Sequence, residues 1–153
     1  MLSAALIVKD EEPYLEGCLR SIAGLVDECI VVDTGSRDQS PQIARDLGAR
    51  LYEFPWTGDF AAARNEALRH IRGDWVLYID ADERLREFSS EALSELLSDR
   101  DKIGYYVLLH ARPGFTPYRE LRLFRNNPLV RFQGVIHENI WPGLRKHRET
   151  RGG

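Results

Sequence analysis

Between Gly73 and Glu83 the chain passes from an apolar, β-prone run (Trp75 to Ile79) into three carboxylates, Asp80, Asp82 and Glu83. Side chains alternate along a strand, so Asp80 and Asp82 point the same way if extended geometry continues past Ile79. Carboxylates that close repel, and each resists ionising unless a cation sits beside them. Mg²⁺ and Mn²⁺ take oxygen ligands, typically one or two carboxylates together with substrate phosphates. The pair therefore suits a divalent cation that holds a diphosphate. The competing reading is a solvated acidic turn after a core strand.

The preceding elements decide between these readings. Ala4–Val8 is a continuous apolar run, as in a strand buried on both faces, and it breaks at Lys9-Asp10-Glu11-Glu12. Pro13 suits the first turn of a helix whose buried stripe is Leu15, Cys18, Leu19 and Ile22. Cys29–Asp33 reads as a second strand. After it, Ser36 and Gln39 have capping-box spacing, and Ser40-Pro41 is a competing helix start. Ile43, Ala44 and Leu47 mark that helix, and Gly48 ends it. Arg50–Phe54 is a third strand, followed by a turn at Pro55-Trp56-Thr57-Gly58, with Trp56 read as core and a pocket wall as the alternative. Asp59 caps a helix to about Ile71, with Phe60, Ala63, Ala67, Leu68 and Ile71 on one face. Alternating strands and helices predict an α/β domain with a mostly parallel sheet. Ligands in such sheets bind at the carboxyl ends of the strands, where Lys9 and Asp10, Asp33, and Asp80 with Asp82 all fall.

The second half has another texture. A helix beginning near Ser89 presents Ala92, Leu93, Leu96 and Leu97, and 104–109 and 120–124 read as strands around a Pro/Gly loop from Arg112 to Pro117. In the later strand Arg119, Leu121 and Leu123 share a face opposite Glu120, Arg122 and Phe124. His70 and His147 read as surface residues, and Lys146–Gly153 as a tail.

With 153 residues, 43% hydrophobic and 29% charged, the chain has the composition of one globular domain. It has no apolar run near the ~20 residues of a membrane span and no secretory leader pattern. Cys18 and Cys29 have no metal-binding spacing and read as buried free thiols, which suits a reducing cytoplasm. Residues 112–153 carry nine Lys/Arg against three Asp/Glu, whereas the overall net charge is −3. This asymmetry favours a phosphorylated partner or a position at the inner membrane surface. No nucleic-acid motif accompanies it.

Four segments together resemble a family 2 glycosyltransferase: Ala5 to Glu12, Val32 to Ser36, Asp59 to Asn65, and Asp80-Ala81-Asp82-Glu83. Arg122-Leu123-Phe124-Arg125 and Ile136-His137-Glu138 are similar to later segments of the same branch. The resemblance implies a GT-A fold in one domain, with residues 1–83 binding the nucleotide-sugar and 84–153 facing the acceptor. It also implies that the chain is short for the fold and C-terminally truncated. The implied reaction is inverting transfer from a nucleotide-activated sugar, UDP-sugar being the family's commonest donor, assisted by Mn²⁺ or Mg²⁺. The acceptor is a saccharide, a lipid-linked glycan or a protein. By position, Asp33 contacts the base, Arg64 with Lys9 and Glu11 lies near the nucleotide, and Asp80 touches ribose or metal. Asp82 is the chief metal ligand of the DxD motif, His137 is a further ligand or orients the diphosphate, and Glu138 is the base. Glu83 and Asp10 stand in reserve for that last role.

Two rivals share the fold. A sugar nucleotidyltransferase calls for a Gly-rich basic phosphate loop after the first strand, where this chain is acidic. A non-catalytic binding module would have lost the carboxylate pair, which is intact here.

Overall fold

The computed structural model describes residues 1–86, 88–109, 116–135 and 137–150. In chain order it contains β1 (Leu2–Val8), α1 (Glu12–Ile22), β2 (Glu28–Asp33), α2 (Ser40–Asp46), β3 (Arg50–Glu53) and α3 (Phe60–Arg69). These are followed by β4 (Trp75–Tyr78), α4 (Ser90–Ser98), β5 (Gly104–Leu109), β6 (Tyr118–Arg125) and α5 (Trp141–Thr150). One six-stranded sheet has the order β3-β2-β1-β4-β6-β5. The first four strands are parallel, β6 runs antiparallel to β4, and β5 antiparallel to β6. This is the α/β, GT-A arrangement expected from the sequence. No helix among the described residues is long and apolar enough to cross a membrane.

The continuous apolar character of β1 follows from burial on both faces. Leu2, Ala4, Leu6 and Val8 pack toward the stripe of α1, with Ala44 of α2 and Leu93 of α4. Ala5 and Ile7 face the other way, where Ala67 and Leu68 of α3 and Leu144 of α5 close a second core. The chain winds outward from β1 through β2 to β3, then returns to place β4 on the other side of β1. That reversal leaves a crevice between the carboxyl ends of β1 and β4, the position where open α/β sheets bind ligands.

Several local expectations are corrected. α2 starts at Ser40-Pro41, because the Ser36 hydroxyl is spent on Asp33 rather than on a capping box. Phe60 opens α3 at the surface instead of joining its buried face. On α4 only Leu93 is buried, and Leu96 is exposed. Cys18 is buried, but Cys29 is only partly so.

The simple alternation expected of β6 fails. A register shift opposite Tyr105/Tyr106 inserts an extra residue, and Leu121, Arg122, Leu123 and Phe124 are all buried. The supposed tail is helical to Thr150, and His147 is buried. Gly143 lets α5 press against the backbone at Leu129–Arg131, where an added Cβ would lie 2.5 Å from the Leu129 carbonyl oxygen. His70 is half-buried and stacked on Tyr52, with ring centres 3.5 Å apart. The loop expected from Arg112 to Pro117 lies mostly outside the described residues, as do Ile136 and the final three residues.

Candidate active site

Strand geometry ends at Tyr78, so Asp80 and Asp82 sit in a turn rather than on an extended strand. The turn closes on itself. The Asp80 amide donates to Glu83 Oε2 at 2.8 Å, and the Glu83 amide donates to the Asp80 carbonyl at 2.9 Å. Asp80 is then clamped by two arginines, one from α3 and one from β6. Arg64 Nη2 of α3 donates to Oδ1 at 2.9 Å and Arg122 Nη1 of β6 to Oδ2 at 3.1 Å. Burial opposes ionisation of Asp80, but the two guanidiniums outweigh it and hold its pKa below the ordinary carboxylate value. Asp82, by contrast, is exposed.

Arg122 is the node of this network. Its side chain is 7% exposed and pairs with Asp80, Glu83 at 2.8 Å and Glu120 at 3.0 Å. Its guanidinium lies 4.4 Å from the centre of the Tyr78 ring. Arg64 lies 4.9 Å from the same centre, and the Tyr78 hydroxyl donates to Glu120 at 2.9 Å. Burial alone would lower the pKa of both arginines, and their carboxylate partners reverse this. Glu83 is raised, because burial outweighs Arg122.

Arg64 also spans to the second half of the chain. Its Nε donates to Glu138 Oε1 at 2.7 Å, so one guanidinium joins the turn after β4 to the residue expected to act as base. Glu138 sits in a short loop tied off by the Gln133–Asn139 bridge, in which His137 adopts a left-handed backbone (φ 57°). Asn65 fixes the loop from α3: its amide donates to the Phe132 carbonyl at 2.9 Å, and its Oδ1 accepts from the Phe132 amide at 2.8 Å.

These residues line one open groove of about 680 Å³ above the switch point. Ile7, Val8 and Ala81 form its floor, and Lys9, Glu11, Arg64, Asp80, Asp82, His137 and Glu138 line it. Seven of the eight residues expected from the sequence are thus brought together. The eighth, Asp33, is buried, and its carboxylate accepts from the amides of Gly35 and Ser36 and from the Ser36 hydroxyl. Thr34 takes its place in the lining, with its own hydroxyl donating to the Val8 carbonyl at 3.1 Å.

The two reserve carboxylates belong to the frame. Glu83 holds the turn, and Asp10 accepts from the Arg37 amide at 2.6 Å while its own amide donates to Ser36 Oγ. Trp56 is not core: it is 38% exposed and lines the groove with Phe60. Sequence reasoning assigned no role to Arg122, Thr34 or Phe60. All three nonetheless lie in segments that carry the family resemblance: Val32 to Ser36, Asp59 to Asn65, and Arg122 to Arg125.

Residues 3–149 match the model of the family described as glycosyl transferase family 2. A TPR repeat-containing protein of Synechococcus elongatus is 46% identical over 144 residues, covering 91% of this chain and 35% of that protein. The lipopolysaccharide core biosynthesis glycosyltransferase LpsC of Rhizobium meliloti is 35% identical over 159 residues, covering 92% of this chain and 57% of that protein. Glucosyl-3-phosphoglycerate synthase of Mycobacterium tuberculosis, solved with Mn²⁺, UDP and glucosyl-3-phosphoglycerate, superposes with a TM-score of 0.54 at 25% identity. That match covers 68% of this chain and 42% of the synthase. The chain therefore spans between about a third and three-fifths of the length of the two relatives.

Proposed function

The chain belongs to glycosyl transferase family 2, and from that premise we propose that its groove binds a nucleotide diphosphate sugar, a UDP-sugar first among candidates, and transfers the sugar with inversion. The acceptor is a hydroxyl of a saccharide, a lipid-linked glycan or a protein. The observation that carries the reading is convergence. Asp82 after β4, Arg64 on α3 and Glu138 in the loop before α5 reach one groove at the switch point. Support also comes from the synthase that binds Mn²⁺ and UDP and from the relative named for lipopolysaccharide core biosynthesis.

The donor set fits a hard divalent cation. Glu11 and Asp82 face the same groove, and the Glu11 pKa is raised first by burial and next by the Asp82 charge. A cation beside them would relieve that repulsion. Among the described residues no three His, Cys, Asp or Glu side chains converge as a complete protein site, which suits Mg²⁺ or Mn²⁺ sharing its shell with substrate phosphates. Asp82 would hold it, with His137 and Glu11 nearby, and Asp80 would contribute from its arginine clamp. When bound, the cation neutralises charge developing on the departing diphosphate.

Lys9 and Arg64 add positive charge along the groove for the same phosphates. Glu138 takes the proton of the acceptor hydroxyl as its oxygen bonds to the anomeric carbon and the bond to the diphosphate breaks on the opposite face. Arg64 orients Glu138 for this step. The proposal further places the protein in the cytoplasm, with its basic second half toward phosphorylated or membrane-surface acceptors.

Incubation with UDP-, GDP- and dTDP-sugars in the presence of Mn²⁺ tests the reading by nucleotide release. Release is expected from at least one donor, and Glu138→Gln should slow it by roughly 10²- to 10⁴-fold. Absence of release from every donor, with no nucleotide binding, would remove the reading.

A further inference from the structure

Trp56 and Phe60 meet edge to face, with ring centres 4.8 Å apart and planes at 68°. Both stay open to the groove, at 38% and 40% exposure. Two contacts fix where the pair stands. The Phe60 amide donates to the Val135 carbonyl at 3.3 Å, so the rings abut the loop that carries His137 and Glu138. Arg64 follows one turn along α3, on the same face as Phe60 and about 5–6 Å away between Cβ atoms, and its Nε donates to Glu138 at 2.7 Å. The pair is held before any ligand arrives, because Asp59 caps α3 by accepting from the Ala62 amide at 3.0 Å. Val135, exposed in its turn, extends the apolar surface.

An apolar wall beside a proton acceptor is placed for the molecule whose hydroxyl gives up the proton, since the attacking oxygen must come within hydrogen-bond reach of Glu138. The surroundings narrow that molecule further. Lys9, Arg64, His137 and Glu138 line the same groove as the two rings. A lipid tail laid there would desolvate these polar groups without pairing them. A pyranose ring matches both parts. Its face of C–H groups suits the negative face of an aromatic ring, and its rim of hydroxyls can pair with the charged side chains.

We infer that Trp56, braced by Phe60, is the platform on which a sugar ring of the acceptor stacks, and that this wall selects a glycan as acceptor. The inference rests on the glycosyl-transfer reading above and adds which class of acceptor is held and by which side chains. The ring belongs either to a free saccharide or to a lipid-linked glycan, and the two share the chemistry that Trp56 recognises. Because the contact is made in the ground state and the transition state alike, its loss should raise the acceptor concentration needed and not slow the chemical step.

Saturation-transfer NMR tests it on protein loaded with UDP and Mn²⁺, using wild type, Trp56→Ala and Trp56→Phe. The probes are the methyl β-glycosides of glucose, galactose and N-acetylglucosamine, octyl β-glucoside below its micellar concentration, and octanol. At least one glycoside is expected to bind wild type through its ring protons, and octanol is not. Trp56→Ala should weaken that glycoside by roughly 2- to 10-fold and Trp56→Phe by less, with UDP affinity by calorimetry at the wild-type value. Tighter binding of octyl than of methyl glucoside would assign the ring to a lipid-linked glycan, and equal binding to a free saccharide. Equal weakening of UDP and glycoside in Trp56→Ala would show a structural or donor-side effect and overturn the inference. Binding of octanol in place of the glycosides, or glycoside binding indifferent to Trp56→Ala, would overturn it too. A wild type that binds UDP but no glycoside would end the inference and spare the donor reading, whereas failure to bind UDP, GDP or dTDP would end both.

Discussion

The two sides of the central crevice are built from different materials. On the parallel side, loops after β1 and β2 lock together through neutral donors and backbone. The Asp10 amide donates to Ser36 Oγ and the Glu11 amide to Ser40 Oγ, both at 2.9 Å. On the antiparallel side the geometry is set by charge, with Arg64 and Arg122 tying Asp80, Glu83, Glu120 and Glu138 into one network. Parallel strand ends converge by topology alone, so their loops need only modest hydrogen bonds. Strand β6 arrives from elsewhere in the chain and is pinned by ion pairs that only tertiary structure can assemble.

This contrast can be broken by mutation. Arg122→Met should be most damaging, because it removes the buried cation shared by Asp80, Glu83 and Glu120 and leaves Arg64 as the remaining arginine on Asp80. Removing one partner of a buried pair costs about 3–5 kcal/mol, and partial exposure of Asp80 and Glu120 puts the expected loss near ~3 kcal/mol in urea denaturation. Gly143→Ala comes next, at about 1–3 kcal/mol, since its new methyl group would meet the Leu129–Val130 backbone. On the parallel side, Ser36→Ala should cost only about 1 kcal/mol. Equal losses for Arg122→Met and Ser36→Ala would erase the distinction between the two sides.

Acid sharpens the same comparison with a smaller effect. The folded-state pKa of Asp80 is depressed by its arginines. Its stabilisation is therefore complete above the ordinary aspartate value near ~3.9 and is lost as pH falls through the lower folded value. The stability gap between wild type and Asp80→Asn, read by chemical denaturation, should narrow as pH drops from about 5 toward about 2. A constant gap would mean that the clamp does not tune Asp80.

The same division explains what could be read from sequence. Strands β1 to β4 and the stripe of α1 were legible because burial on two faces and helical spacing leave unambiguous apolar patterns. The groove residues of this half followed, since strand ends in a parallel sheet must converge. Arg122 was not legible in its role, because a register shift near Tyr105 breaks the alternation of β6 and its partners lie far away in sequence. The end of α5, from Lys146, was read as tail because the buried face of this helix rests on Gly143, Leu144 and His147, too weak a stripe to outweigh its charges. Its helix is secured by packing on Val130 and Phe132. For Trp56 the sequence left core and pocket wall both open, and the structure has it walling the groove.

The central claim is a donor site at the switch point, with Asp82 as its metal-facing carboxylate. It is tested most directly by calorimetric titration of UDP, with and without Mn²⁺, into wild type and Asp82→Ala. Asp82 is exposed and outside the arginine network, so the substitution should leave stability within about 0.5 kcal/mol. The account predicts that UDP binds wild type only with the metal and that Asp82→Ala abolishes binding while remaining folded. Metal-independent binding, or full binding by Asp82→Ala, would contradict it.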